Sequence, residues 1–248
     1  MMILENYLKA LKLPTFVKRY QEVAEACQKK GVDYAHFLLQ LSEMEVLGRQ
    51  NRSVQQKIKK ARFPSLKTLD GFDFSVLTSL NQKQVSGLAK CEYVERHENI
   101  IALGNSGTGK THLAISLGIA ACQKGISVYF TTAASLVHEL MEAREEKQLL
   151  RLQKKLNHYS LLIIDELGFV PFSKTGAELL FEIFSNRYER GSVLITSNLP
   201  FQEWTQMFGC ERLTGALLDR LTHHVHILEM NGESYRLIQS KKSQKSSE

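Results

Sequence analysis

Residues 98–120 read ENIIALGNSGTGKTHLAISLGIA. Within this stretch Gly104–Thr111 spells G-x-x-x-x-G-K-T, the complete P-loop pattern. Asn99-Ile100-Ile101-Ala102-Leu103 is a short apolar run that stops at the first glycine, as a buried strand does. After the loop, Leu113, Leu117 and Ala120 recur at helical spacing. Strand, loop and helix therefore follow one another in the order the motif requires.

Each residue type in the loop has a physical reason. Gly104, Gly107 and Gly109 let the backbone turn tightly, so that the amides of Asn105, Ser106 and Thr108 can converge on one anion. A helix starting near Lys110 adds the positive end of its dipole. Lys110 reaches β- and γ-phosphates in such a loop, and the Thr111 hydroxyl suits Mg²⁺. The stretch predicts binding of a nucleoside triphosphate, with ATP and Mg²⁺ as cofactors.

A second motif follows, with its Asp165 lying 55 residues beyond Lys110. Tyr159–Glu166, YSLLIIDE, is an apolar run ending in two carboxylates, the Walker B pattern. A buried strand brings such residues to its carboxyl end, where ligands bind in an open parallel sheet. Asp165 is expected to hold the Mg²⁺ water shell and Glu166 to activate the attacking water. Ser192–Asn198, SVLITSN, reads as another strand ending in a polar residue. Asn198 is expected beside the carboxylates, where it can orient water; the alternative is a capping asparagine before Leu199-Pro200. These segments predict an α/β fold, a parallel sheet flanked by helices.

The rest of the chain sets the surroundings. With 248 residues, 43 % of them hydrophobic and 23 % charged, it has the composition of a globular protein with room for a smaller second domain. Cys27, Cys91, Cys122 and Cys210 are scattered and form no C-x-x-C pair, which fits a reducing compartment. No signal-peptide core and no membrane-length apolar run is present, so a cytoplasmic location without membrane contact is expected. His223, His224 and His226 cluster but match no standard zinc spacing.

Charge is unevenly distributed. Residues 1–67 carry 13 Lys+Arg against 6 Asp+Glu, whereas residues 68–240 carry 16 against 19. The first segment predicts three helices: residues 3–13 with Ile3, Tyr7, Leu8 and Leu11 on one side, a second helix capped at Thr15 and stopped at Gly31, and a long one over 34–62. Arg49, Arg52, Lys57, Lys59, Lys60 and Arg62 make the last helix basic, and no acid lies between Gln50 and Phe63. A solvated helix face and a nucleic-acid contact both explain such a run. The missing acids favour phosphate contacts to DNA of weak base specificity.

The expected organisation is a helical, basic domain over 1–67 serving DNA binding or oligomerisation, a nucleotide-binding domain over 68–240, and a disordered polar tail over 241–248. Phe72 and Phe74 could pack beside an adenine or serve as ordinary core. Residues 75–96 and 136–156 each read as one helix, the latter a charged connecting helix. Trp204 and Phe208 are expected to pack a short helix.

The ordered set GNSGTGKT, YSLLIIDELG, VLITSN, LLDRLTHH and SYR resembles the AAA+ ATPases of the DnaC-like clade. The closer likeness is to the IstB-like ATP-binding proteins, helper ATPases of insertion-sequence transposons. RQNRSVQQKIKKARFPSLKTLDGFDF is similar to that family's basic segment and linker. The resemblance implies a P-loop NTPase (AAA+) that hydrolyses ATP, forms an ATP-bridged homo-oligomer on double-stranded DNA and recruits or stimulates a transposase. It implies sensor 1 at Asn198, an arginine finger at Arg220 and sensor 2 at Arg236. Asn231-Gly232-Glu233 looks like a hairpin turn, where that family class carries a helical lid. A helicase loader of DNA replication is the alternative. A small-molecule kinase lacks a second substrate motif here.

Overall fold

A computed structural model describes residues 2–77, 79–235 and 237. The chain forms two compact units, residues 1–56 and 57–248. The composition boundary at 67 lies later because Ile58, Ala61 and Phe63 pack into the core of the second unit.

The first unit contains α1 (Met2–Ala10), α2 (Pro14–Lys30) and most of α3 (Tyr34–Ala61). Pro14 opens α2 with its fixed φ, and Gly31 at φ 65° closes it. Thr15 is no cap: its amide donates to Glu45 Oε2 at 2.7 Å. The core is small, built on Val23, Cys27 and Leu41. Of the four apolar residues expected on one face of α1, Leu8 is buried, and Ile3, Tyr7 and Leu11 are exposed.

In the second unit the expected helix over 75–96 is broken into a 3-10 turn at Phe74–Val76, α4 (Gln82–Leu88) and α5 (Glu92–Glu95). The Asn81 side chain caps the amides of Lys83 and Gln84, and Cys91 takes a left-handed φ of 62°. Then come β1 (Asn99–Leu103), α6 (Lys110–Gln123), β2 (Val128–Thr132), α7 (Ala133–Glu145), α8 (Leu149–Asn157) and β3 (Leu161–Leu167). The single helix expected over 136–156 is divided between α7 and α8 at Lys147, whose φ is 58°. The chain continues through α9 (Lys174–Arg187), β4 (Ser192–Ser197), α10 (Trp204–Phe208), α11 (Glu211–Thr222) and β5 (Val225–Glu229).

The five strands form one parallel sheet in the order β2-β3-β4-β1-β5. Alternate residues feed two cores, as the two-residue pleat dictates. Ile100, Leu161, Ile163 and Leu194 join the layer containing α6. Ile101, Leu162, Ile164, Val193 and Ile195 join the layer of α7, α9 and α11. Arg187 fastens the amino edge of the sheet. Only 2 % exposed, it donates to the carbonyls of Leu156, Ser160 and Ser192 at 3.0, 3.1 and 2.9 Å. Burial pushes its guanidinium down to about 10. No described helix is long and apolar enough to cross a membrane.

Candidate nucleotide site

The loop Gly104–Gly109 joins β1 to α6 at the carboxyl edge of the sheet. Lys110 Nζ reaches back to the carbonyls of Gly104 and Asn105, both at 2.6 Å, and Thr108 Oγ1 donates to Asn105 O at 2.9 Å. Two glycines are required by close approach as well as by φ. A Cβ on Gly104 (φ 153°) would sit 2.1 Å from the Met230 carbonyl oxygen, and one on Gly107 (φ 82°) 2.1 Å from Ser234 Oγ.

Those contacts come from the segment after β5, which lies across the loop. The Met230 amide donates to Leu103 O at 2.7 Å, and the Tyr235 amide to Gly107 O at 3.0 Å. Among the described residues no strand follows β5, and Tyr235 and Leu237 are helical, so these residues do not show the hairpin expected around Asn231–Glu233. Arg236, the candidate sensor 2, and the tail 241–248 lie outside the described residues.

The two carboxylates reach the site through an irregularity in β3. Its register to β4 shifts by one residue between Ile164 and Leu167, and Glu166 has a φ of 59°. This is a β-bulge with a non-glycine residue in the left-handed region. In a regular strand Asp165 and Glu166 would face opposite layers. Here Asp165 is buried and accepts from Thr111 Oγ1 at 3.1 Å, while exposed Glu166 lines the same pocket as Thr111. The Glu166 amide donates to Thr196 Oγ1 at 3.0 Å, and Thr196 Oγ1 donates to Asp165 Oδ1 at 2.5 Å.

The pocket holds about 600 Å³, a volume typical of small-molecule sites. One side is the loop, with Ser106 to Thr111; Glu166, Thr196 and Asn198 form another. Asn198, just past the end of β4, thus lines the same pocket as Glu166. Phe72, Val76 and Leu77 give the pocket an apolar wall. Phe72 is buried in the core and also lines the pocket. Phe74 packs on Phe72 with ring centroids 4.8 Å apart. Pocket-lining residues that sequence reasoning missed include His112, whose Nε2 lies 3.0 Å from Thr68 O, and Phe169. His112 directly follows the motif, which is the signal that could have found it.

The Thr111 hydroxyl, which lines the pocket, and the buried Asp165 carboxylate bonded to it are oxygen ligands that fit a small hard cation such as Mg²⁺.

Arg220 lies elsewhere. It sits in the last turn of α11, donates to Ala216 O at 2.8 Å and stacks over Phe181 at 5.1 Å. It lines a small cavity with Asn99 and Val193, at the starting ends of β1 and β4. The loop is at the other end of β1, about 17 Å away at the usual rise per strand residue.

The basic stretch is divided in the same way. Arg49 and Arg52 pair with Glu45 at 3.6 and 2.8 Å. Arg62 donates to Tyr129 Oη at 3.1 Å and lies 3.5 Å from Glu139. Lys59 and Lys60 are exposed and Lys57 is half-buried. The run is therefore not free of acids in three dimensions. Glu45 is itself buried, which raises its carboxyl. The Thr15 amide and hydroxyl, with Arg52 and Arg49, outweigh that and hold it below the usual carboxylate value. In the histidine cluster, His223 Nδ1 meets Tyr188 Oη at 2.9 Å and His226 Nε2 meets Glu98 at 2.8 Å.

Comparison with known proteins agrees with this geometry. Residues 6–243 match the family model described as IstB-like ATP binding protein. The insertion sequence IS21 ATP-binding protein of Pseudomonas aeruginosa is 40 % identical over 240 residues, covering 97 % of this chain and 91 % of that protein. The insertion sequence IS5376 ATP-binding protein of Geobacillus stearothermophilus is 39 % identical, with 94 % and 93 % covered. Among solved structures, AMPPCP-bound DnaA from Aquifex aeolicus is similar in fold (TM-score 0.57, 21 % identity, 74 % of this chain and 56 % of that one). So is the DnaC helicase loader (TM-score 0.52, 20 % identity, 60 % and 86 %). With a P-loop on a parallel sheet of this order, the AAA+ fold is established, and the chain belongs to the IstB-like ATP-binding protein family.

Proposed function

We propose that this protein is an ATPase that oligomerises on duplex DNA and assists a partner transposase. The observation that carries the hydrolytic reading is the bulge in β3, which leaves Glu166 lining a pocket walled by Lys110 and Thr111 while Asp165 meets the Thr111 hydroxyl. Lys110 would neutralise the β- and γ-phosphates, and loop amides from Asn105 to Gly109 would cradle them. Thr111 and Asp165 would hold Mg²⁺, which when bound offsets charge on the phosphate oxygens. Glu166 would take a proton from the attacking water, and Asn198 would orient that water. Arg236 by resemblance reads the γ-phosphate.

By resemblance Arg220 is assigned to the site of a neighbouring subunit, as an arginine finger, and its place away from its own loop supports that reading. Arg49, Arg52, Lys57, Lys59, Lys60 and Arg62 would meet DNA phosphates. Relatives named for insertion sequences at 39–40 % identity favour transposition over helicase loading, since the likeness to DnaC at 20 % is one of fold.

Mixing tests the shared site. Arg220→Ala and Glu166→Gln are each expected to lose hydrolysis by roughly 10²-fold or more. Combined, they should regain activity, because some sites form from an intact Glu166 on one subunit and an intact Arg220 on another. If no ratio restores turnover while both variants fold and co-assemble, Arg220 does not act in trans.

A further inference from the structure

Thr196 lies on β4, two residues before Asn198. It is 1 % exposed, and its hydroxyl touches the backbone of one Walker B residue and the side chain of the other. A hydroxyl has one hydrogen and two lone pairs. Here a lone pair takes the Glu166 amide, so the hydrogen goes to Asp165 Oδ1. The same carboxylate oxygen accepts from Thr111 Oγ1. Thr111, Asp165, Thr196 and the Glu166 backbone thus form one continuous chain of hydrogen bonds.

We infer that Thr196 is a positioning residue for the nucleotide chemistry: its hydroxyl holds β3 in the bulged register that keeps Asp165 and Glu166 on one side of the sheet.

The two cores show what that register does. Leu161 and Ile163 pack in the α6 layer, and Leu162 and Ile164 in the α9 layer. Regular continuation would send Glu166 to the α9 layer and Leu167 to the α6 layer. Leu167 is instead buried in the α9 layer, so the alternation has slipped by one residue at Asp165–Glu166. The slip requires Glu166, which is not glycine, to hold a φ of 59°. Its amide cannot then follow the regular ladder to β4, and Thr196 supplies the acceptor. Valine would fill the same space and favour the same strand, yet offer neither bond. Without the hydroxyl the strand can relax toward regular pleating, which carries Glu166 away from the pocket and frees Asp165 to turn from Thr111.

The inference rests on the reading of Glu166 as the water-activating group. The test compares full-length wild type, Thr196→Val and Thr196→Ser by three readouts. These are affinity for a fluorescent ATP analogue in EDTA, the Mg²⁺ concentration that half-maximally tightens that binding, and steady-state ATP turnover. Thr196→Val should bind the analogue in EDTA within about twofold of wild type. It should need roughly 10-fold more Mg²⁺ and lose about 10- to 100-fold in kcat with little change in KM, the range seen when a ligand's supporting hydrogen bond is removed. Thr196→Ser, which keeps the hydroxyl, should restore both. Wild-type Mg²⁺ dependence and turnover in Thr196→Val would overturn the inference, as would a serine variant as impaired as the valine one. If Thr196→Val does not fold, Thr196→Ala replaces it with the same expectations. If wild type itself hydrolyses no ATP, the general-base reading fails, and the Mg²⁺ titration alone decides the role of Thr196.

Discussion

The nucleotide pocket and the three-helix unit handle charge in opposite ways. In the pocket, Lys110 and Glu166 face one cavity from different sides, and buried Asp165 reaches it through Thr111. In the helical unit, Arg49 and Arg52 converge on Glu45, a buried carboxylate of their own chain. Both regions stand out in the sequence as charged motifs. Only in the pocket does the fold turn the charges toward a common space. A count of cations therefore overstates what a helix can offer a ligand, because a guanidinium can serve a buried acid several residues away. Surface ion pairs are worth little by themselves, but Glu45 has no water to fall back on.

The sharpest way to break this comparison is at Lys110. Lys110→Ala should weaken ATP binding by roughly 10²-fold or more, because no other described loop side chain places a fixed positive charge at the phosphates. Calorimetric titration checks it. Unchanged affinity would mean that the pocket does not use its charge as described.

Next in size is the effect of the lysines. Replacing Lys57, Lys59 and Lys60 together with Gln should make the slope of log K for DNA against log salt shallower, by about one for each phosphate no longer neutralised. Arg49→Gln with Arg52→Gln should flatten the slope less and lower the denaturation midpoint more, since Glu45 would be left buried without its two cationic partners. Equal slopes for the two sets would erase the distinction between outward-facing and internally paired cations.

The smallest expected effect is on pH dependence. The Glu45 carboxyl lies lower in the folded chain than in the unfolded one. Its contribution to stability is therefore present above the ordinary carboxylate pKa and is lost as pH falls through the folded value. Glu45→Gln should cost about 1 kcal/mol at neutral pH and flatten the acid limb of the stability curve. Denaturant melts at several pH values measure both.

How much was legible follows from where the information lies. The loop, the strand before it and the helix after it are contiguous, so 98–120 is read directly. The Walker B acids are legible as residues, yet their common orientation is not. It depends on Thr196, 30 residues downstream of Glu166, and on a left-handed backbone at a glutamate. The same kind of residue hid three other features: Cys91, Lys147 and Arg62 end or divide helices at positive φ without being glycine. Rules that look for glycine or proline at helix stops pass over them. Arg187 was equally unmarked, because nothing near it in sequence tells that three carbonyls from different segments will surround it. The pairing of Arg62 with Tyr129 and Glu139 is long-range in the same way.

The strand order has a consequence for the newly made chain. β1 is central, between β4 and β5, yet it begins 93 residues before β4 and 126 before β5. Until those strands leave the ribosome, β1 has no partner on either side. Its apolar residues Ile100 and Ile101 must wait as an unpaired edge, the kind of segment that aggregates or recruits chaperones. The amides of Met230 and Tyr235 then close over Leu103 and Gly107 only after β5 is in place. The phosphate loop, encoded in the first half of the chain, is thus among the last parts of the molecule to take its working shape.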